Sequence, residues 1–291
     1  MNLERLANLW INRGAFDAAA HQRALQAVAG LGPAVVVTGG SRGLGLALAG
    51  QFARAGHDVV IVARNGEIAG QAATRIAKQT GRRCTAIPLD ITAPGILDAL
   101  DRSLSAAGHY ADVLVNNAGL GHAGPFAEAN PETLAQLVAL NIDAPARLAR
   151  HLLPGMLARR RGGILSVASL GGAVPGPGQA AYYASKAFLM SLTEALAAEC
   201  AGQGVRISIL APGPLDTDFH AAMGAENSAY RVLIPAVSLQ RTARAGYWGF
   251  ILGRRLIVPG VINRLIYGAL RILPHPVSMP LVKALLARRR A

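Results

Sequence analysis

The stretch AAYYASKAF, Ala180 to Phe188, sets two adjacent phenols beside one of three lysines in a chain whose 29 Lys and Arg residues are otherwise arginine. On a helix, Tyr182 lies four residues before Lys186 and Tyr183 three, so either ring could share a face with the ammonium. A phenol near pKa 10 is a poor proton donor and acceptor at neutral pH. An adjacent ammonium lowers that pKa by stabilising the phenolate. Such a pair suits handing a proton to the alkoxide that forms when a carbonyl receives hydride. Spacing alone leaves the choice of tyrosine open.

The elements that must hold this pair are legible as alternating apolar runs and helical stretches between Ala34 and Gly213. The runs AVVVTGG (34–40), DVVIVAR (58–64), CTAIPLD (84–90), DVLVNNAG (112–119), GGILSVAS (162–169) and RISILAPG (206–213) read as strands, with a seventh near RLIVPG (255–260). Most are apolar throughout, as in a parallel sheet buried on both faces. The connecting segments have the length and apolar spacing of βαβ crossovers. The fold expected is α/β, a doubly wound parallel sheet of about seven strands with helices on both faces. The first strand runs into TGGSRGLG, Thr38 to Gly45, where glycines let the backbone approach a pyrophosphate at a helix N-terminus. Its spacing, Gly39-x-x-x-Gly43-x-Gly45, departs from Gly-x-Gly-x-x-Gly.

Read together and in order, TGGSRGLG, LDIT, NNAG, Asn141, Ser169 with YYASK, and PGPLDT resemble the short-chain dehydrogenase/reductase family of classical type, over Ala34 to Phe219. The resemblance implies a Rossmann-like sheet. Its Tyr-x-x-x-Lys pattern, and the thirteen residues from Ser169, select Tyr182 and leave Tyr183 a packing or substrate-side residue. It implies Tyr182 as acid/base, Lys186 as its pKa-lowering neighbour and ribose ligand, Ser169 as the hydroxyl polarising the carbonyl, and Asn141 as support for a proton-relay water. It also implies a dinucleotide held by Thr38, Gly39, Ser41, Arg42, Gly43, Leu44 and Gly45 in the turn. Asp90 and Ile91 would lie beside the adenine and Asn117 along the cofactor. Pro212, Gly213, Leu215 and Thr217 would lie at the nicotinamide end, with Tyr182 and Lys186 on its ribose. An acid at the end of the second strand would bind a ribose 2′-hydroxyl. Here Ala63 and Arg64 stand there, and Arg42 adds a second guanidinium, which suits the 2′-phosphate of NADP(H) rather than NAD(H).

The seven histidines are scattered, and Cys84 and Cys200 lack metal-ligand spacing, so no metal site is expected and the cysteines read as reduced packing residues. The N-terminal stretch lacks the uninterrupted apolar core of a signal peptide. It reads as a helical extension over 1–33, with Leu3, Leu6 and Trp10 on one face. The catalytic domain spans 34–260. Residues 261–291 form a basic, amphipathic helical segment. From Arg231 to Ala291 there are eleven Lys or Arg and no Asp or Glu, so this stretch carries +11 of the net +13. Its uncharged runs are too short for the ~20 apolar residues of a spanning helix. A basic stripe on a mostly apolar helix fits an anionic membrane interface. Capping of the substrate cleft, an oligomer interface and an acidic carrier protein are the competing roles. Few aromatics and no recognised motif argue against nucleic acid.

The function expected is an NADP(H)-dependent oxidoreductase interconverting a ketone or aldehyde with an alcohol. The apolar C-terminal segment suggests a lipophilic substrate: a 3-oxoacyl chain, a steroid-like ketone or another lipid carbonyl. The family resemblance implies a dimer or tetramer, and the setting expected is cytoplasmic, with peripheral contact at the inner face of a membrane. The rival is a non-catalytic NADP(H) sensor or membrane-associated scaffold, which has no need for Tyr182, Lys186, Ser169 and Asn141 together. An epimerase or dehydratase of the extended relatives is disfavoured by the glycine spacing and the short region after the sixth strand.

Overall fold

The computed structural model describes residues 17–225 and 228–287. The expected face of Leu3, Leu6 and Trp10 lies outside the described residues, as do the last four positions. Helix α1 (Ala18–Gln26) precedes β1 (Gly32–Thr38), α2 (Gly43–Arg54), β2 (Asp58–Ala63), α3 (Gly66–Thr80), β3 (Cys84–Pro88), α4 (Ile96–Ala106) and β4 (His109–Asn116). There follow α5 (Pro131–Val138), α6 (Ala144–Arg159), β5 (Gly163–Val167), α7 (Ala180–Glu199) and β6 (Arg206–Leu210). The chain ends with short helices α8 (Phe219–Ala222) and α9 (Tyr230–Leu233), then α10 (Leu239–Ile251), β7 (Leu256–Ile257), α11 (Val261–Ile272) and α12 (His275–Leu286).

All seven strands are parallel, in the order β3-β2-β1-β4-β5-β6-β7. The expected doubly wound sheet is therefore present. Alternate residues of each strand supply two cores, one on each face. Val35, Val37, Val59 and Ile61 meet α2, α3 and α10 through Leu48, Phe52, Ala73 and Phe250. Val36, Val60, Val62 and Leu114 meet α4 and α6 through Leu100, Leu104, Leu148 and Met156. Each such burial contributes about 1.5–3 kcal/mol, which is why apolar runs without alternation become central strands.

Chain direction across the sheet reverses between β1 and β4. Crossovers on either side diverge there and leave a crevice at the carboxyl ends of the strands, the usual ligand position in open α/β sheets. The first strand stops at Thr38, two residues earlier than its apolar run, because Gly39 takes φ +65° and turns the chain. Strand β7 is only two residues long and is followed by Pro259 and Gly260. Helix α1 docks on α6, where the His21 ring lies 3.1 Å from the Ala158 carbonyl. No described helix is long and apolar enough to cross a membrane.

Candidate active site

Helix α7 carries both phenols and the ammonium, and its burial pattern sets the two rings apart. Tyr182, Ser185, Lys186, Leu189, Met190 and Thr193 are buried, a stripe of three- and four-residue steps along one face. Tyr183 falls off that stripe. Its ring lies over the backbone of Gly171 and Gly176, where an added Cβ would come within 2.9 Å and 2.3 Å of ring atoms. Tyr183 also lines the cavity described below, so both expected uses of it, packing and substrate side, are compatible with its place.

Ser169 leaves the end of β5 and accepts a hydrogen bond from Gly171 N at 3.1 Å. The Ser169 hydroxyl is also close enough to the Tyr182 phenol to lower its pKa. Lys186 is buried and donates from Nζ to the Val167 carbonyl at 2.9 Å. Its ammonium lies 5.9 Å from the Tyr182 ring centroid. Burial pushes the Tyr182 hydroxyl up to about 12, and the Ser169 hydroxyl acts against that rise. Burial pushes the Lys186 ammonium down to about 8. The sequence leads one to expect the ammonium to set the phenol's pKa. In the structure burial dominates the phenol's pKa, and the Lys186 ammonium is not among the groups that shift it.

Asn141 sits in a π-helical turn (Ala139–Asp143) between α5 and α6. Its Nδ2 donates to the Leu120 carbonyl (2.8 Å) and to Ser185 Oγ (3.0 Å), while Oδ1 accepts from Leu120 N (2.8 Å). Its side chain thus pins the loop after β4 to α7, directly behind Gly119, where an added Cβ would stand 3.2 Å from Asn141 Oδ1 and 3.5 Å from Lys186 Nζ.

The glycine-rich turn opens α2 at Arg42, with no side-chain cap and no acid in the first turn. The first-turn N–H groups of α2 and its dipole therefore face the crevice, as a phosphate would require. Beneath the turn, Asn117 Nδ2 donates to Thr38 O (2.9 Å) and Gly39 O (3.2 Å). Thr38 Oγ1 donates to Val115 O and accepts from Asn117 N and Ala118 N. Gly45 has no room for a side chain, since a Cβ would fall 2.4 Å from both Asn117 Nδ2 and Gly39 O. This cradle fits a dinucleotide pyrophosphate. Asp90 Oδ1 accepts from Thr92 N (2.9 Å) and Thr92 Oγ1 (2.7 Å). Those bonds first, and then the Arg64 guanidinium, hold its carboxyl below the usual carboxylate range.

One cavity of about 880 Å³ joins these parts. Of the expected residues, Gly39, Ser41, Arg42, Gly43, Leu44, Gly45, Arg64, Asp90, Ile91, Asn117, Ser169, Tyr182, Lys186, Pro212, Gly213, Leu215 and Thr217 all line it. Thr38 and Asn141 do not. Each stands one layer behind the wall, with the Thr38 hydroxyl spent on backbone groups and the Asn141 amide on the Leu120 backbone and Ser185 Oγ. Several wall residues were not singled out from sequence: Gln179, Phe219, His220, Met223 and Tyr230. The Phe219 ring lies 5.6 Å from that of Tyr182, and His220 Nδ1 is 2.8 Å from the Tyr230 hydroxyl. The far wall comes from the C-terminal helices, through Ile266 and Leu270 of α11 and Val282, Leu285 and Leu286 of α12. Their mostly apolar helical character was legible in the sequence, but not which face turns inward. Among the described residues, no group of three His, Cys, Asp or Glu side chains could hold a metal ion.

A profile described as short chain dehydrogenase matches residues 33–228. The chain belongs to the short-chain dehydrogenase/reductase family, a family of oxidoreductases. It is 32% identical over 183 residues, 63% of this chain and 74% of the relative, to a 3-oxoacyl-(acyl-carrier-protein) reductase of Chlamydia trachomatis. It is 37% identical over 200 residues, 67% of this chain and 72% of the relative, to 1-deoxy-11-beta-hydroxypentalenate dehydrogenase of Streptomyces exfoliatus. Among solved structures, a short-chain dehydrogenase from Sphingobium yanoikuyae in complex with NADPH superposes with a TM-score of 0.72 at 27% identity. That match covers 84% of this chain and 97% of the other.

Proposed function

We propose that this chain is an NADP(H)-dependent oxidoreductase that interconverts a ketone or aldehyde with the corresponding alcohol on a lipophilic substrate. The observation that carries this reading is the single cavity. It has a glycine cradle at one end, Ser169, Tyr182 and Lys186 together at its middle, and an apolar wall from α11 and α12 at the other. Residues 34–260 form the cofactor-binding core, and the helices after them cap the substrate end.

When bound, the dinucleotide supplies or accepts the hydride. In reduction, Ser169 holds the substrate oxygen by a hydrogen bond as negative charge grows on it. Tyr182 gives its phenolic proton to that oxygen. A phenol pushed up to about 12 keeps its proton at neutral pH, so it starts in the donating form. As the phenolate forms, the nearby Lys186 ammonium stabilises it, and more strongly in a site closed to water. Asn141 keeps the loop at Leu120 and helix α7 in register behind the pair.

Preference for NADP(H) is supported by the end of β2, where Ala63 and Arg64 stand in place of an acid, and by Arg42 at the same rim of the cavity. The NADPH carried by the Sphingobium neighbour supports it too. The lipophilic substrate is supported by the aliphatic wall, and the 3-oxoacyl reductase relative makes acyl thioesters a first choice.

The test is oxidation of NADPH and NADH by the purified chain against long-chain 3-oxoacyl thioesters, steroid ketones and small aldehydes, beside Tyr182→Phe. The expected result is turnover with NADPH on the apolar compounds, lowered at least about 100-fold in the variant. NADPH binding without turnover on any carbonyl would replace this reading with a sensor or scaffold.

A further inference from the structure

We propose that the outward faces of α11 and α12 form a docking surface for an anionic lipid bilayer. The inward face of α11 is already used. Asn263 is buried against Gly213, and Ile266 and Leu270 wall the cavity. At about 100° per residue, Val261, Leu265 and Ile272 fall within one narrow arc on the other side, with Ile262 at its border toward the cavity face. In that order they are 64%, 69%, 83% and 51% exposed. Helix α12 repeats the division: Val282 and Leu286 are buried, while Val277 and Leu281, four residues apart, are exposed. Single exposed leucines are ordinary, but an aliphatic stripe along one helix face, with a second on the helix that follows, marks an interaction surface.

The charges choose the occupant. Arg264 and Arg271 are seven residues apart and border the α11 stripe on one side, and Lys283 is exposed on α12. Between positions 231 and 287 the chain has eight Lys or Arg and no Asp or Glu. A second copy meeting this face across a two-fold axis would set arginines against arginines. An anionic surface instead complements them, and arginine stems can lie along the apolar layer while their heads reach phosphates. Each helix has twelve residues and neither is long enough to span. They would lie in the plane of the interface. Because the same helices wall the cavity, a docked bilayer sits on the order of 10 Å, one helix thickness, from the apolar end of the site.

The surface stands apart from the reaction, so its test reads no turnover. The full chain is sedimented with vesicles of mixed phosphatidylglycerol and phosphatidylcholine, and with phosphatidylcholine alone, at low and raised salt. The expected result is partition onto the anionic vesicles that salt weakens. Arg264→Gln with Arg271→Gln should lower it roughly thirty-fold, at about one kcal/mol per charge. Leu265→Glu with Ile272→Glu should lower it at least about ten-fold. Circular dichroism melting checks that each variant is folded. No partition onto anionic vesicles by the wild type would overturn the proposal, as would apolar variants that bind like the wild type. So would an oligomer that Leu265→Glu with Ile272→Glu disperses, by sedimentation velocity, while vesicle binding persists.

Discussion

Lys186 costs the folded protein stability, and the cost has a pH signature that can be measured. Burial moves its ammonium from an ordinary 10.5 to about 8. At ~1.4 kcal/mol per unit, that is about 3 kcal/mol against folding while the lysine is charged. The folded-state pKa lies below the unfolded one, so between about 8 and 10.5 the unfolded chain holds more protons. Stability from this group therefore rises with pH across that window, and the penalty is present in full below it. Lys186→Met removes the charge but leaves the Val167 carbonyl, which accepts from Nζ at 2.9 Å, without that partner. That loss costs about 1–3 kcal/mol and does not depend on pH. At pH 7 the two effects nearly offset, and the variant should match or exceed the wild type by up to about 2 kcal/mol. Urea unfolding followed by tryptophan fluorescence at pH 7, 8, 9 and 10 supplies the decisive comparison. The wild type should gain about 2.5 kcal/mol on the variant between pH 7 and 10, with other titrating groups cancelling in the difference. A gap that stays flat with pH would refute the claim that burial governs Lys186.

Arg42→Ala combined with Arg64→Ala should raise the KM for NADPH by roughly 10–100-fold and leave that for NADH within ~3-fold, since only the former offers a 2′-phosphate to the guanidinium groups. Steady-state kinetics with both cofactors decide it, and an equal rise for both would mean the turn itself has failed. Gly45→Ala forces a methyl to 2.4 Å from a backbone oxygen and from the Asn117 amide. It should cost about 1–3 kcal/mol in urea unfolding and weaken NADPH binding in a fluorescence titration, whereas wild-type behaviour in both would sink the close-packing argument. Leu270→Ala thins the apolar wall, so the KM for long-chain ketones should rise about 10-fold while that for short ones stays level. A uniform change across chain lengths would place the substrate elsewhere.

The parts of the molecule legible in the sequence are those where local pattern and tertiary demand coincide. Val35 to Val37 must be apolar on both faces, and no surface strand would carry that run. Tyr182 and Lys186 share the α7 stripe because the same spacing serves burial and chemistry. The resemblance put Thr38 in the cofactor turn, but its place could not be read from sequence: three backbone partners hold its hydroxyl one layer behind the cavity wall. Asn141 could be placed on a helix, but not in a π-helical turn, because that distortion arises from fastening Leu120 to Ser185 rather than from any local propensity. The Tyr182 pKa was unreadable for a similar reason: sequence supplies the neighbouring ammonium, while desolvation depends on everything that closes over the pair.

The C-terminal helices mark where such reading ends. Both faces of α11 are apolar, so hydrophobic spacing alone cannot orient it. What orients it is a contact with the turn after β6. The Asn263 side chain occupies the space a Cβ on Gly213 would take, at 2.5–2.7 Å, and its Nδ2 donates to the Pro259 carbonyl at 2.9 Å. Its Oδ1 is buried without a hydrogen-bond partner among the described residues, a cost of about 1–3 kcal/mol that packing must offset. Gly213 lies in the stretch that would hold the nicotinamide end of the cofactor, so the cap over the substrate end rests directly on the cofactor end. The missing Cβ of Gly213 is what lets Asn263 seat α11 against this turn.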